Sequence, residues 1–160
     1  MWGEVRWRMS EKSDVLFYHL ERQPLERVLP GLLEKTLQRG WRAVVQSGSA
    51  ERLDALDAAL WTYSDDSFLA HGTAKDGYAA EQPIFLTLKP ETPNGAGVRF
   101  LVDGADAPDF ETHIRLVYLF DGNDEAARAH ARSQWSAAKA AGCKVSYWKQ
   151  SAEGRWENKA

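Results

Sequence analysis

One cysteine, Cys143, stands in 160 residues, so no internal disulfide can form and folding has to rest on burial alone. No apolar run reaches the roughly 20 residues of a spanning helix, which leaves no membrane partner to expect. The N-terminus lacks the charged, apolar and cleavage-site sequence of a secretory signal, so the cytoplasm is the expected compartment. An excess of positive charge is also missing. Lys and Arg number 20 against 23 Asp and Glu, for a net charge of −3 and a pI near 5.8. That balance excludes a generally basic nucleic-acid binder, because neutralising phosphates needs a cationic surface. His19, His71, His113 and His130 are scattered, with no His-x-x-x-His or paired-Cys spacing, and no metal site is expected. Glycine-rich phosphate loops are absent as well. The join after the first predicted strand, His-Leu-Glu-Arg-Gln-Pro, has no glycine, and Gln-Ser-Gly-Ser-Ala after the second has one. Neither fits a dinucleotide or P-loop pattern. No motif gathers an acid, a base or a nucleophile, so neither a catalytic site nor a cofactor is expected.

What is present is an ordinary globular composition, 44% hydrophobic and 27% charged. One domain of this size buries roughly 70% of its unfolded surface. The expected organisation is a flexible extension over 1–13, an α/β domain over 14–149 and a polar, fraying tail over 150–160. Val15 to Tyr18 reads as a strand. Leu25, Val28, Leu29, Leu32, Leu33 and Leu37 follow the spacing of one helix face, with Pro24 in the first turn and Gly40 as the stop. Trp41–Gln46 reads as a strand, Ser47–Ser49 as a turn with an N-cap, and Leu53, Leu56, Leu60 and Trp61 as a second helical stripe. This β-α-β-α order predicts a mostly parallel, doubly wound sheet with helices on both faces.

The middle of the chain is less regular. Phe68–Ala70 reads as a short strand and His71–Gln82 as a polar loop; Ile84–Leu88 and Val98–Val102 read as an antiparallel pair or an edge excursion around the turn residues Pro93, Asn94 and Gly95. Between Phe110 and Phe120 periodicity does not separate helix from strand. A last helix is expected from a cap at Asn123 or Asp124 to Ala141, then a strand over Lys144–Trp148, with Cys143 as a small core residue.

One stretch departs from the background. Ala126 to Gln150 holds Arg128, Arg132, Lys139, Lys144 and Lys149 and no acidic residue, so these five positive charges leave −8 on the rest of a −3 chain. At 100° per residue, Arg128, Arg132, Trp135 and Lys139 share an arc of roughly 60°, while Ala127, Ala131, Ala138 and Ala141 make a separate face about a third of a turn away. With the alanines against the sheet, the stripe faces outward and suits an anionic ligand with an aromatic or apolar end, gripped by arginine and walled by Trp135. The other open reading tucks the indole against the sheet edge and leaves the cations as plain surface.

At this point the residues match a family. Val15-Leu-Phe-Tyr18, Arg52-Leu-x-x-Leu-x-x-x-Leu-Trp61, Ser67-Phe68, Ala131-Arg132-x-x-Trp135-x-x-x-Lys139-x-Ala-Gly142 and the strand ending Tyr147-Trp148-Lys149 are colinear over about residues 14–149. Together they resemble the chi subunit of bacterial DNA polymerase III. The resemblance implies an α/β fold akin to nucleotide-binding proteins but without enzymatic activity, serving a nucleotidyltransferase complex. It also implies two partners, the psi subunit of the clamp loader and the acidic C-terminal tail of single-stranded DNA-binding protein, which ends in Pro-Phe; contact with single-stranded DNA is then indirect. By this resemblance Arg128 and Arg132 occupy the basic positions and Trp135 the aromatic one, and Phe120 or Asp121 aligns with the apolar pocket, Phe120 being the favoured of the two. Trp61 and Phe68 match aromatic positions near the same groove, or else pack in the core. A nucleotide-binding enzyme using the carboxyl edge of the sheet near Ser47–Ser49 is the alternative. Direct single-strand binding, with a base stacked on Trp135, is a third.

Overall fold

The β-branched and aromatic runs become strands and the leucine stripes become helices in a computed structural model that describes residues 12–62 and 70–160. In chain order the elements are β1 (Asp14–Leu20), α1 (Leu25–Gln38), β2 (Ala43–Ser47), α2 (Ala50–Trp61), β3 (His71–Thr73), β4 (Ile84–Thr87), β5 (Val98–Val102), β6 (Arg115–Asp121), α3 (Glu125–Ala140), β7 (Lys144–Gln150) and β8 (Trp156–Asn158). Among the described residues eight strands form one sheet in the order β3-β4-β2-β5-β6-β1-β7-β8. Every pairing is parallel except β7 with β8. The fold is the expected α/β domain with helices on both faces.

The two faces have different fillings. Leu29 and Leu33 of α1 and Leu56 of α2 pack on Val45, Phe100, Val117 and Leu119. On the opposite face α3 meets Val15, Phe17, Leu116 and Tyr118 through Ala131 and Ala138. Alanines bring that helix close to the sheet. Its start is capped by Asp124, whose carboxylate accepts from the Ala126 N–H at 3.0 Å, and Gly142 follows its end with φ +86°.

Several expectations are corrected. β4 and β5 do not pair with each other; β2 lies between them and is parallel to both. Both runs are buried along their whole length, which an interior position in a parallel sheet provides and an edge hairpin does not. The turn between them is held in place by Asn94, whose amide donates to the Ala43 and Gln82 carbonyls at 3.1 and 2.9 Å. The polar stretch after His71 contains edge strand β3 and two 3-10 turns, Ala74–Asp76 and Ala79–Glu81. Of the short strand expected at 68–70, residues 68 and 69 lie outside the described residues. The ambiguous stretch after Phe110 resolves into turns followed by β6.

The chain after Gln150 does not fray. It turns back as β8, where Trp156 meets Tyr18 edge-on at 4.9 Å and the Lys159 N–H donates to the Tyr147 carbonyl at 2.7 Å. Burial of one large indole holds a segment whose other residues are polar.

Candidate functional site

α3 crosses β6, β1 and β7 with its alanines down, and this orientation turns Arg128, Arg132 and Trp135 toward the β7 side. There they line a cleft of about 460 Å³ together with Phe17, Phe120 and Tyr147. The sheet register brings the aromatic floor together: Phe17 is level with Tyr147 across β1 and β7, and His19 with Phe120 across β1 and β6. Phe17 stacks on Tyr118 with ring centroids 4.6 Å apart and tilts onto Trp135 at 5.4 Å, while Tyr147 stands edge-on to Trp135 at 6.2 Å. Trp135 is therefore half-buried, with its indole forming one wall of the cleft.

The rim is cationic. Arg128 is half-buried and donates from Nη1 to the Gly122 carbonyl at 2.8 Å, which points it along the groove; Arg132 is exposed. Lys139 lies with Nζ 5.7 Å from the Trp135 ring centroid, a cation–π contact. Among the described residues no carboxylate forms an ion pair with Arg128, Arg132 or Lys139. Burial raises the Tyr147 phenol above its ordinary value and the Glu21 charge adds to this, against the opposing Arg128 and Arg132 guanidiniums, so the hydroxyl stays neutral.

The structure thus gathers Phe120, Arg128, Arg132, Trp135 and Lys139 at one place. Trp61 is elsewhere. α2 packs over β2, β3 and β4, so its last residue reaches the β3 edge, where Trp61 is 55% exposed and its ring lies 4.5 Å from His71. A position in the same groove is excluded by the width of sheet between β3 and β7. Phe68 lies outside the described residues. Phe17 and Tyr147 line the groove and Gly122 orients Arg128 through its carbonyl, and all three escape sequence reasoning. Their roles depend on register and on the path of the β6–α3 turn, although the alternation of Val145 and Tyr147 already puts both on one face.

A second cavity, about 740 Å³, opens at the carboxyl edge of the parallel strands, where a nucleotide would sit in a doubly wound fold. Its walls carry Glu21, Asp103, Asp121 and Asp124 against Arg22 and Arg52. Arg52 is already engaged by Glu26 and by Asp103 Oδ1 at 3.3 Å. The Ser47–Ser49 turn is satisfied internally. The Ser49 N–H donates to Ser47 Oγ at 3.0 Å and Ser49 Oγ caps α2 by accepting from the Arg52 N–H at 3.3 Å. Gly48 serves loop packing, since a Cβ there would lie 2.3 Å from the Asp103 carbonyl oxygen. This edge offers phosphate an acidic wall. Burial also pushes the Cys143 thiol up, away from thiolate chemistry. Among the described residues no three His, Cys, Asp or Glu side chains are placed to hold a metal, and no helix is long and apolar enough to cross a membrane.

Fold and site define a mostly parallel α/β domain that carries a cationic aromatic groove on the sheet face covered by α3. The model of the family described as "DNA polymerase III chi subunit, HolC" matches residues 13–146, and the chain belongs to that family. It is similar to the "Probable DNA polymerase III subunit chi" of Rickettsia prowazekii (strain Madrid E), at 29% identity over 89 residues, 56% of this chain and 54% of that protein. The chain thus spans about half the length of this curated relative in the match. The family resemblance read from the residues is borne out.

Proposed function

We propose that this chain is a non-catalytic accessory subunit that links the DNA polymerase III clamp-loader complex to single-stranded DNA-binding protein. It does so by holding that protein's acidic, phenylalanine-terminated tail in the α3 groove. The psi subunit is its other partner, its contact with single-stranded DNA is indirect, and its compartment is the cytoplasm. The observation that carries this reading is the pair of guanidiniums, Arg128 and Arg132, without carboxylate partners among the described residues, on the rim of a cleft floored by aromatic rings.

Cations left unpaired beside apolar surface favour a ligand that brings both a carboxylate and a ring. Arg132 is placed to take a terminal carboxylate by two parallel hydrogen bonds, each charge-assisted contact contributing about 1.5–3 kcal/mol. Trp135 and Phe120 enclose the phenyl ring, and Arg128 meets the acidic residues before it. A small interface of this kind gives roughly micromolar affinity, about 8 kcal/mol. The acidic carboxyl-edge cavity weighs against the nucleotide alternative, because phosphate entering it meets four carboxylates.

Calorimetric titration with an acidic peptide ending in Pro-Phe tests the reading. Arg132→Ala is expected to weaken binding about tenfold or more, and amidation of the peptide's C-terminus to do the same. Unchanged affinity in the variant would remove Arg132 from the site.

A further inference from the structure

Tyr147 lies one residue beyond the family-matched span, yet it lines the groove floor with its ring edge-on against Trp135. A chain of polar contacts holds it. His19, buried beneath the groove, has its Nε2 2.8 Å from Glu21 Oε1, and the same carboxylate oxygen is 3.2 Å from Lys149 Nζ. A carboxylate only accepts, so Nε2 carries a hydrogen, and in the neutral imidazole Nδ1 then accepts from the Tyr147 hydroxyl. The backbone is held as firmly. The Tyr147 N–H donates to the Ala160 carbonyl at 3.3 Å and its carbonyl accepts from the Lys159 N–H at 2.7 Å, so the residues after β8 engage both backbone polar groups of this one residue. Phe120, 6.2 Å from Tyr147 and 5.2 Å from His19 by ring centroids, completes an aromatic corner.

We propose that Tyr147, anchored by His19 and Glu21 and by the C-terminal residues that follow β8, is the residue that makes the groove select a ring-ended tail. This rests on the reading of the groove as a tail site. The two arginines read charge, which many acidic peptides share; the Tyr147 ring reads shape, because it lies edge-on against Trp135 and extends the aromatic surface of the groove beside it. Its hydroxyl hydrogen is committed to His19, so the ring is fixed edge-on to Trp135 and the carboxylate is left to Arg132.

The test uses the full chain and two acidic peptides that differ only at the last residue, phenylalanine or alanine. The wild-type chain is expected to prefer the phenylalanine peptide about tenfold or more. Tyr147→Ala is expected to reduce that preference to about twofold, mainly through the phenylalanine peptide. Tyr147→Phe keeps the ring but frees it from His19, and Lys159→Pro removes the N–H on the Tyr147 carbonyl; each is expected to cost about threefold in preference with little change in melting temperature.

A preference that survives Tyr147→Ala, or an equal loss on both peptides, overturns the proposal while leaving the tail-binding reading intact. Tyr147→Phe and Lys159→Pro both behaving as wild type overturns the anchoring, and these two variants decide the matter if Tyr147→Ala fails to fold. A wild-type chain that binds neither peptide overturns the tail-binding reading and this proposal together.

Discussion

Gly122 shows how one missing side chain organises the groove. A Cβ at this position would lie 2.0 Å from His19 Nε2, and the Gly122 carbonyl is the acceptor that orients Arg128. Gly122→Ala is expected to displace the imidazole, cost about 1–3 kcal/mol of stability and weaken tail binding several-fold; His19→Ala in the same chain should recover much of the stability. Thermal melts of the single and double variants check this, and additive losses would refute the contact. His113 carries a second residue-scale prediction. Burial first, and then the Arg99 guanidinium, push this histidine down to about 4, against the opposing Asp109 charge. The folded value is below the unfolded one of about 6.5, so the unfolded chain binds the extra proton. The stabilising effect is full above pH 6.5 and is lost as pH falls toward 4, by up to about 3 kcal/mol. Urea unfolding at pH 7 and pH 4.5 should show the fall, and His113→Leu should flatten it; an unchanged slope in that variant would sink the assignment. Neither Gly122 nor Arg99, the source of part of the His113 shift, announces itself in the sequence. Gly122 reads as a plain turn glycine, and Arg99, fully buried in β5 with Nη contacts to Gln46 Oε1 at 2.7 Å, the Glu91 carbonyl at 2.6 Å and Thr92 Oγ1 at 2.7 Å, sits in a run that reads as apolar.

At the scale of elements, α3 depends on its small face. Ala138 is wholly buried between helix and sheet, so Ala138→Leu is expected to destabilise the fold by about 1–3 kcal/mol and, by lifting the helix, to widen the groove and weaken tail binding as well. Denaturant midpoints with a matched peptide titration separate the two effects; unchanged stability would mean that the helix does not rest on that residue. Elements with strong local signals were legible. α1 and α3 lie within a residue or two of their expected bounds because leucine or alanine spacing, caps and terminal glycines all point the same way. β3, β8 and the placement of β4 and β5 were not. Three-residue strands have no periodicity to read, and the partner of a buried strand is chosen by contacts distant in sequence. The groove divides along the same line. Arg128, Arg132, Trp135 and Lys139 share one helix and are visible as an arc, whereas Phe17, Phe120 and Tyr147 come from three strands and join them through register.

For the whole molecule the important fact is charge segregation. A chain of net charge −3 collects five cations and no carboxylate between Ala126 and Gln150, and the fold leaves two of those guanidiniums over aromatic rings while placing acidic side chains at the carboxyl edge. Raising salt from about 0.05 to 0.5 M is therefore expected to weaken binding of an acidic tail several-fold, with the ring-dependent part surviving; a salt-independent affinity would contradict a charge-reading rim. By itself the sequence determined the α/β class, the helices with their caps and the cationic aromatic arc, because each depends on residues within a few turns of one another. Only the tertiary structure decided that the arc faces a floor built from β1, β6 and β7, that Trp61 belongs to the far edge of the sheet, and that the last ten residues return to hold Tyr147. Those outcomes follow from which strands lie side by side, and strand order is settled by burial summed over the whole chain rather than by any local pattern.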